Sequence, residues 1–314
     1  MHPFSDTPAL TVASLGEQKL LARIRRWLGS AMPPAPHGMG DDCAVLPATA
    51  LPRGARPLVT VDPVIYGEHF DDAVAPRHAG RKLLARNLSD LAAMGGRPVA
   101  GVIALALDPR TRLDWLEGFY RGLAATARRH ATPLVGGDIA THRGGLVASL
   151  TLLGATTTGR AVTRAGAAEG DFIAVTGALG GSLASGHHHS FTPRLTEGAW
   201  LAARREVTAM MDVSDGLAKD LHALVPPGAK PLVFGDLVPR RKGCDLRAAL
   251  TDGEDYELLF TVRGSPAGVT RLAADWRRAF PRTPLTVIGR LAAQKASSAG
   301  ALDFSAYHGF EHLR

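Results

Sequence analysis

Carboxylates recur in this sequence where an apolar stretch meets a glycine or another small residue. Asp41 and Asp42 follow Gly40, Asp62 ends PLVTVD, and Asp138 ends PLVGGD. A single aspartate of this kind is usually a turn former or a helix cap. Several that converge on one site would repel each other unless cations offset their charge. The repetition therefore points to bound cations, with turn formation as the alternative at each position taken alone.

The second half of the chain repeats the pattern. MMDVSDGL contains Asp212 and Asp215, and DGEDYELLF places Asp252, Glu254 and Asp255 just before an apolar run. Oxygen ligands of this kind suit hard divalent ions, and the chain has few soft ligands. The pattern therefore predicts Mg²⁺.

Asp90 differs from the other acids because it lies within an apolar helical stretch, NLSDLAAMG. A helix interior flanked by leucine and alanine seldom hosts an unpaired carboxylate. Mg²⁺ held by a few carboxylates, with phosphate oxygens and water in its remaining positions, is a common arrangement at nucleotide sites. We therefore expect these acids to hold metal-bridged phosphates.

Phosphate donors are less clearly marked. The sequence contains neither GxxxxGK[ST] nor a kinase-type glycine-rich loop with its strand lysine. Arg160 and Arg164 in GRAVTRAG could pair with phosphate, although two solvated loop arginines explain the pattern equally well.

Helices and strands alternate along the first half of the chain. Helical spacing, prolines and glycines predict helices over 15–29, 76–94 and 111–130. Apolar and β-branched runs predict strands over 57–62, 99–107, 133–138 and 146–156.

A second domain begins near GDFIAVTG, residues 170–177, and we place the boundary near residue 160. There we expect a helix over about 194–210, the segment DVSDGLAKDLHALV, and strands in PLVF, DGEDYELLFTV and LTVIGRL. This alternation predicts an α/β or α+β protein.

Composition limits the class of protein. The 314 residues are 46% hydrophobic and 21% charged, and no apolar stretch approaches the roughly 18 residues of a membrane span. The N-terminus does not resemble a secretory signal, and Cys43 and Cys244 are too few for a disulfide framework, so we expect a cytoplasmic protein without a membrane partner. The net charge of +7 comes from scattered arginines rather than a basic strip, so we expect no nucleic-acid partner.

Seven stretches, in this order, resemble one known family: GDDCAVL, VTVDPVIYGEHF, RKLLARNLSDLAAMGGRP, LVGGD, GRAVTRAGAAEGD, DVSDGLAKDL and DGEDYELLFTV. The family is the thiamine-monophosphate kinases, in the ATP-binding superfamily of aminoimidazole ribonucleotide synthetase and selenophosphate synthetase. The resemblance covers about residues 15–312. It implies an N-terminal α/β domain, 1–160, whose mixed sheet pairs with that of a partner in a homodimer. It also implies a C-terminal α+β domain, 161–314, that completes the active site.

The family's reaction transfers the γ-phosphoryl group of ATP to thiamine monophosphate with the help of several Mg²⁺ ions. By matching position, the resemblance implies metal ligands at Asp42, Thr60, Asp62, Asp90, Asp138, Asp212 and Asp215. It implies ATP contacts, with the tyrosine near the adenine, at Tyr120, Gly137, Asp138, Arg164 and Ser214. It implies a thiamine-phosphate pocket with His69, Glu254 and Tyr307, and a central catalytic role for Asp42, Asp90 and Asp215.

The chain departs from the family pattern mainly on the substrate side. Val61 replaces the second of two threonines, Pro63 follows Asp62, and the familiar GGEDYE is DGEDYE, which adds Asp252. The segment after VTGALGGSLASG runs straight into HHHSFTPRLTEG, so that a helix of the family is shortened. We interpret residues 187–189 as neutral histidines in a short linker that enters a helix, with metal binding as the alternative.

Three other functions remain open at this point. The first is an ATP-dependent enzyme of the same superfamily that acts on another small acceptor. The second is a non-catalytic nucleotide-binding module, although such a module would have no need of the whole acidic set. The third is a nucleic-acid binder, which only the net charge suggests.

Overall fold

The computed structural model describes residues 1–15, 17–34, 37–39, 44 and 46–310. The chain divides into two compact units. Unit 1 comprises Met1–Leu91 and Arg97–Ala155, and unit 2 comprises Ala92–Gly96 and the chain from Thr156 onward. Each unit is built on a sheet with helices, as the sequence predicts.

Unit 1 takes its elements from the first half of the chain. In order, they are α1 (Glu17–Leu28), β1 (Pro57–Ile65), α2 (Pro76–Ala93), β2 (Gly96–Leu107), α3 (Leu113–Arg129), β3 (Leu134–Thr141) and β4 (Leu146–Thr156). Every helix and strand predicted for this half occurs, with its ends shifted by a few residues. The largest shifts are of three residues: β1 and β3 continue beyond the aspartates predicted to end them, and β2 begins earlier, at Gly96.

The sheet of unit 1 is mixed, as expected, with strand order β1-β4-β2-β3. Strands β1 and β4 are antiparallel, and β2 and β3 are parallel. Because β1 lies at the edge of this sheet, the missing N–H of Pro63 is tolerated there.

Helices α2 and α3 approach each other closely through two glycines. A Cβ atom on Gly80 would lie 2.0 Å from the carbonyl oxygen of Phe119, and one on Gly122 would lie 1.9 Å from that of Arg77. Only glycine fits at such distances. Leu83, Leu84 and Leu88 of α2 are fully buried, and this packing holds the helix that carries Asp90.

Unit 2 contains a five-stranded sheet with strand order β6-β8-β5-β9-β7, and each of its neighbouring pairs is antiparallel. Its strands are β5 (Phe172–Thr176), β6 (Val207–Asp212), β7 (Ala229–Val233), β8 (Leu258–Val262) and β9 (Leu285–Ala293). Its helices are α4 (His187–Ser190), α5 (Leu195–Ala202), α6 (Leu217–Asp220), α7 (Leu246–Thr251) and α8 (Pro266–Ala279). Two hydrophobic clusters form the core of this unit.

The helix predicted over about 194–210 is wrong in its second half. Helix α5 ends at Ala202, and Val207 begins strand β6. Alanine, arginine and methionine favour helix locally. Here Val207, Ala209 and Met210 are buried and pair with β8, so tertiary packing overrides that preference. The strand delivers Asp212 at its last position.

Across the described part of the chain, every helix is too short or too polar to cross a membrane.

Candidate active site

Three of the predicted oxygen ligands lie on facing elements of unit 1. The side chains of Thr60 and Asp62 share one face of β1 because they are two residues apart in a strand. The Thr60 hydroxyl donates a hydrogen bond to the carboxylate of Asp90 in α2. Arg86, one helical turn before Asp90, places Nη2 3.4 Å from Oδ1 of Asp62. These side chains form a small polar group between β1 and α2.

The arginine in this group also fixes the local backbone. Arg86 Nη1 donates a hydrogen bond to the carbonyl oxygen of Pro63 at 2.8 Å, and the Arg86 side chain is 11% exposed. Asp62 therefore already has a cationic neighbour, Arg86, which is not predicted from the sequence. A divalent ion at Asp62 would share that carboxylate with Arg86.

His69, predicted to line the acceptor pocket, stands on a turn that follows β1. Its Nδ1 atom accepts the backbone N–H of Ile65 at 3.3 Å. Lys82 of α2 is fully buried and donates from Nζ to the carbonyl oxygen of His69 at 2.8 Å. The ring is thus fixed against the end of β1.

The predicted ATP contacts of unit 1 adjoin two cavities. Gly137 lines a cavity of about 870 Å³ together with residues of α1 and of the sheet. It also lines a second space of about 20 Å³ with Tyr120 and Asp138. A Cβ atom on Gly137 would lie 2.1 Å from the carbonyl oxygen of Ile103, so a larger residue would displace β3.

Tyr120 and Asp138 differ in exposure. Tyr120 is 3% exposed, and burial raises the pKa of its hydroxyl. Asp138 is exposed and lies within β3 opposite Ala104, not at the end of the strand. A role of Tyr120 near the adenine stays a prediction, and the space beside its ring is small.

Asp42 lies outside the described residues, together with Asp41, Gly40 and Cys43. Its predicted metal and catalytic roles are therefore predictions from the sequence only. Met39 and Ala44, which flank this segment, both line the cavity of about 870 Å³.

In unit 2, the DVSDG segment follows β6 and is held by an acid further along the chain. Oδ2 of Asp220 accepts the backbone N–H groups of Ser214 at 2.9 Å and Asp215 at 3.0 Å. Gly216 has a φ of 102°, a conformation that favours glycine, and precedes the short helix α6. Asp220 thereby fixes the turn that presents Asp215.

Asp220, which accepts these two N–H groups, lies close to other acids. Burial raises the pKa of Asp220 to about 7, the backbone N–H groups oppose the rise, and the charges of Asp212 and Asp215 add to it. Lys219 Nζ lies 2.8 Å from Asp215 Oδ2 and so supplies a nearby positive charge. Asp212 itself is 4% exposed. Such crowded carboxylates are what a cation would stabilise.

The acidic loop before β8 pairs with the same segment. The Glu254 N–H donates to the carbonyl oxygen of Ser214 at 2.7 Å, and the Tyr256 N–H donates to that of Val213 at 2.8 Å. Glu254 and Tyr256 have φ values of 53° and 52°, which side-chain-bearing residues rarely adopt. Strain of this kind is often found at functional sites.

Two neighbouring acids of this loop have structural partners. Oδ2 of Asp252 accepts the N–H of Gly181 at 2.8 Å. Asp255 accepts the N–H of Gly180 at 3.0 Å and a hydrogen bond from Arg241 Nη1 at 2.9 Å. Burial raises the pKa of Asp255, against the opposing effect of these donors. Asp252, the additional acid of DGEDYE, therefore stabilises the glycine-rich turn after β5.

Arg164 and Tyr307 complete the predicted residues of unit 2. Arg164 is exposed in a loop that runs beside β6, where the carbonyl oxygen of Thr163 accepts the N–H of Met210 at 3.0 Å. Tyr307 is half-buried against the core, and the guanidinium carbon of Arg247 lies 5.9 Å from the centre of its ring. A contact of Tyr307 with substrate stays a prediction.

Three further residues of unit 2 contact predicted site residues: His188, Lys219 and Asp220. Nδ1 of His188 lies 3.4 Å from Oε2 of Glu254, so the histidine segment is more than a linker. The signal for Lys219 and Asp220 was present in the sequence, since both stand within one or two turns of Asp215 in SDGLAKD. The histidines of residues 187–189 stand out in the sequence, and nothing local indicates that the partner of His188 is Glu254.

The predicted ligands of each unit fit Mg²⁺ in their chemistry, since Thr60, Asp62 and Asp90 of unit 1 offer hard oxygens, and so do Asp212 and Asp215 of unit 2. Within residues 1–15, 17–34, 37–39, 44 and 46–310, no three His, Cys, Asp or Glu side chains form a ready-made metal-binding group. Mg²⁺ is commonly held by one or two carboxylates, with phosphate and water in its other positions. Carboxylates supplied singly or in pairs match that mode of binding.

The chain is similar to known proteins over most of its length. The family described as AIR synthase related protein, N-terminal domain, matches residues 40–156. A crystal structure of thiamine-monophosphate kinase from Stenotrophomonas maltophilia K279a has 34% identity and a TM-score of 0.70, covering 89% of this chain and 95% of that one. A structure described as AaThiL complexed with AMPPCP and TMP has 27% identity and a TM-score of 0.70, covering 98% of this chain and 100% of that one.

The similarity to curated proteins is also nearly full-length. A thiamine-monophosphate kinase of Salmonella typhimurium is 36% identical, and the match covers 88% of this chain and 91% of that protein. One from Escherichia coli strain K12 is 35% identical over the same shares. This chain belongs to the thiamine-monophosphate kinase family.

Proposed function

We propose that this chain transfers the γ-phosphoryl group of MgATP to thiamine monophosphate. The bond between the γ-phosphorus and the β,γ-bridging oxygen breaks, a bond from the γ-phosphorus to an oxygen of thiamine monophosphate forms, and ADP leaves. The products are thiamine diphosphate and ADP. We also infer a cytoplasmic location from the proposed use of ATP.

One observation carries the proposal. The N–H of Glu254, a predicted acceptor contact, donates to the carbonyl oxygen of Ser214, a predicted ATP contact, at 2.7 Å. Phosphoryl transfer requires donor and acceptor to be held within reach and in line. Ser214 directly precedes Asp215, a predicted metal ligand, so this hydrogen bond joins the segment of a predicted acceptor contact to that of a predicted metal ligand.

The proposed role of the acids is to hold the cation that neutralises the phosphates. Mg²⁺, when bound, would neutralise the phosphate oxygens in a loose transition state. In unit 1, Thr60, Asp62 and Asp90 would offer oxygen ligands to such an ion, and in unit 2 Asp212 and Asp215 would do so. Asp42 and Asp138 are proposed as further ligands. Arg164, which is exposed beside β6, is a proposed phosphate donor.

The acceptor needs little chemical activation. The phosphate of thiamine monophosphate is already ionised near neutral pH, so alignment replaces a strong general base. The carboxylate of Glu254 would face the cationic thiazolium ring, while His69 and Tyr307 are proposed to complete the pocket. Asp252 and Asp255 are excluded from this role because their carboxylates fasten the turn after β5.

We also propose that the chain forms a homodimer through the sheet of unit 1. The apolar side chains of Val59 and Val61 are 69% and 59% exposed on one face of the edge strand β1. Val102 of β2 is 41% exposed and lines the same cavity as Val59. An exposed apolar face of this kind is typical of a protein interface. Light scattering that gives the mass of a single chain would contradict this.

The proposal is tested by incubating the purified protein with MgATP and thiamine monophosphate. We expect thiamine diphosphate and ADP in equal amounts by liquid chromatography. The protein could instead bind ATP without making thiamine diphosphate and release ADP when another small phosphorylated or carboxylated acceptor is added. That result would favour an enzyme of the same superfamily with a different acceptor. ATP binding without turnover of any acceptor would favour a non-catalytic module.

A further inference from the structure

Residues 187–192, here called the histidine segment, lie against the loop that carries Glu254. Helix α4 contains His187, His188 and His189, of which His188 is buried. Nδ1 of His188 is 3.4 Å from Oε2 of Glu254, whose side chain is 21% exposed. A buried imidazole thus faces a carboxylate that remains accessible to solvent.

The contact is one of three along the same segment. Nε2 of His187 lies 3.0 Å from the carbonyl oxygen of Asp255. The ring of Phe191 stacks on that of Tyr256 with centroids 4.0 Å apart and planes 16° apart. Residues 187, 188 and 191 therefore contact three successive residues of the loop, 255, 254 and 256.

The loop requires such support because its backbone is strained. Both Glu254 and Tyr256 have positive φ, and the residue between them, Asp255, is held by Gly180 and Arg241. Conformations of this kind persist only where surrounding contacts impose them. The histidine segment supplies contacts on the side of the loop where the Glu254 carboxylate points.

Each oxygen of that carboxylate has a different neighbour. Oε2 faces His188, and the Tyr256 hydroxyl lies 3.5 Å from Oε1. Two neighbours on two oxygens limit rotation of the carboxylate about its last side-chain bond. A charged group held in one orientation binds a cationic ligand better because less conformational freedom is lost on binding.

We propose that His188 is a positioning residue for Glu254 and thereby determines affinity for the cationic acceptor. The proposal rests on the proposed function, in which the thiazolium ring of thiamine monophosphate is the ligand of Glu254. His188 does not touch the substrate; it acts through the carboxylate. Helix α4 thus supports the acceptor pocket through its contact with Glu254.

The test measures KM for both substrates in two variants at this position. His188→Leu removes the polar contact and retains an apolar side chain, whereas His188→Asn retains a nitrogen near the position of Nδ1. For His188→Leu we expect KM for thiamine monophosphate to rise about tenfold, with KM for ATP and kcat within about twofold of wild type. His188→Asn should recover most of the affinity. Thr192→Ala, at an exposed position of the same segment, serves as the matched control.

A double variant separates positioning from general packing. If His188 acts through Glu254, His188→Leu combined with Glu254→Gln should bind thiamine monophosphate no worse than Glu254→Gln alone. Additive losses, or equal losses of affinity for both substrates in the leucine and asparagine variants, would overturn the proposal. Should His188→Leu fold poorly, His188→Ala gives the same comparison.

The proposed function and the role of His188 can be contradicted separately. A wild-type protein that makes no thiamine diphosphate would contradict the proposed function and, with it, this inference. An active wild type with an unimpaired His188→Leu variant would contradict the role of His188 and leave the proposed function standing.

Discussion

The hydroxyl of Thr60 donates a hydrogen bond to the carboxylate of Asp90. This contact joins edge strand β1 to helix α2 and puts two predicted metal ligands in direct contact. A hydroxyl that gives its proton to a carboxylate still has lone pairs for a cation. The pair is therefore compatible with binding of one ion by both oxygens.

Asp90→Asn should reduce turnover about a hundredfold or more, because it removes a negative ligand that would hold the Mg²⁺ ion, and the ion would neutralise the phosphates in the transition state. Steady-state kinetics at saturating substrates would measure the loss, and circular dichroism would check the fold. Asp71→Asn is the matched control, since Asp71 is exposed and caps the N–H of Ala73, which an amide oxygen can also do. Near-normal activity of Asp90→Asn would remove Asp90 from the metal site.

Asp215→Asn should raise the Mg²⁺ concentration needed for half-maximal activity by about tenfold or more. The carboxylate is already near the Lys219 ammonium, so loss of its charge also leaves a cation that repels Mg²⁺. Titration of activity with Mg²⁺ at fixed ATP would measure the shift. Asp236→Asn, at an exposed acid of the same unit, should leave the Mg²⁺ requirement unchanged. An unchanged requirement in Asp215→Asn would contradict its assignment as a ligand.

The stability of the metal-free protein should fall as pH rises from about 4 to about 7, because of Asp220. Its folded-state pKa is raised from the model-peptide value of 3.8 to about 7. The folded state therefore holds the proton over this window while the unfolded chain has released it, so each increase in pH favours unfolding. Stability from this group is complete below the unfolded pKa and is lost as pH approaches the folded one.

Thermal melts in a chelator at several pH values would measure this dependence. Asp220→Asn cannot titrate, and its amide oxygen can still accept the N–H groups of Ser214 and Asp215. We expect its Tm to change less than that of wild type across the window. Identical pH profiles for the two proteins would show that Asp220 does not titrate there.

Glu254→Ala should raise KM for thiamine monophosphate about tenfold while KM for ATP changes little, because the thiazolium loses its anionic partner. Asp252→Asn is the control in the same loop, since an amide oxygen can still accept the Gly181 N–H. Kinetics with each substrate varied in turn would decide the matter. A larger effect on ATP than on thiamine monophosphate would place Glu254 on the nucleotide side.

The elements of unit 1 were predictable because their signals are local. Helix α2 shows a proline at its start, a glycine just beyond its end and leucines at helical spacing, and those leucines are buried. Asp90 was identified as unusual for the same reason, because a carboxylate among them needs a polar partner. Thr60 supplies it.

Other features depend on contacts distant in the sequence. The residue types over 203–212 favour helix locally. Only the pairing with β8 makes the second half of this segment, β6, a strand. The ends of β1 and β3 were misplaced because an aspartate is allowed inside a strand when its side chain faces solvent or a polar partner. His188 meets Glu254 only because the fold brings α4 to the acidic loop.

The most direct test of the account follows the γ-phosphoryl group itself. ATP labelled with heavy oxygen at the three non-bridging positions of the γ-phosphate would be incubated with the protein, Mg²⁺ and thiamine monophosphate, and the products analysed by mass spectrometry. The account predicts that the label appears in the terminal phosphoryl group of thiamine diphosphate, with unlabelled ADP. Label released only as inorganic phosphate, with thiamine monophosphate unchanged, would contradict it.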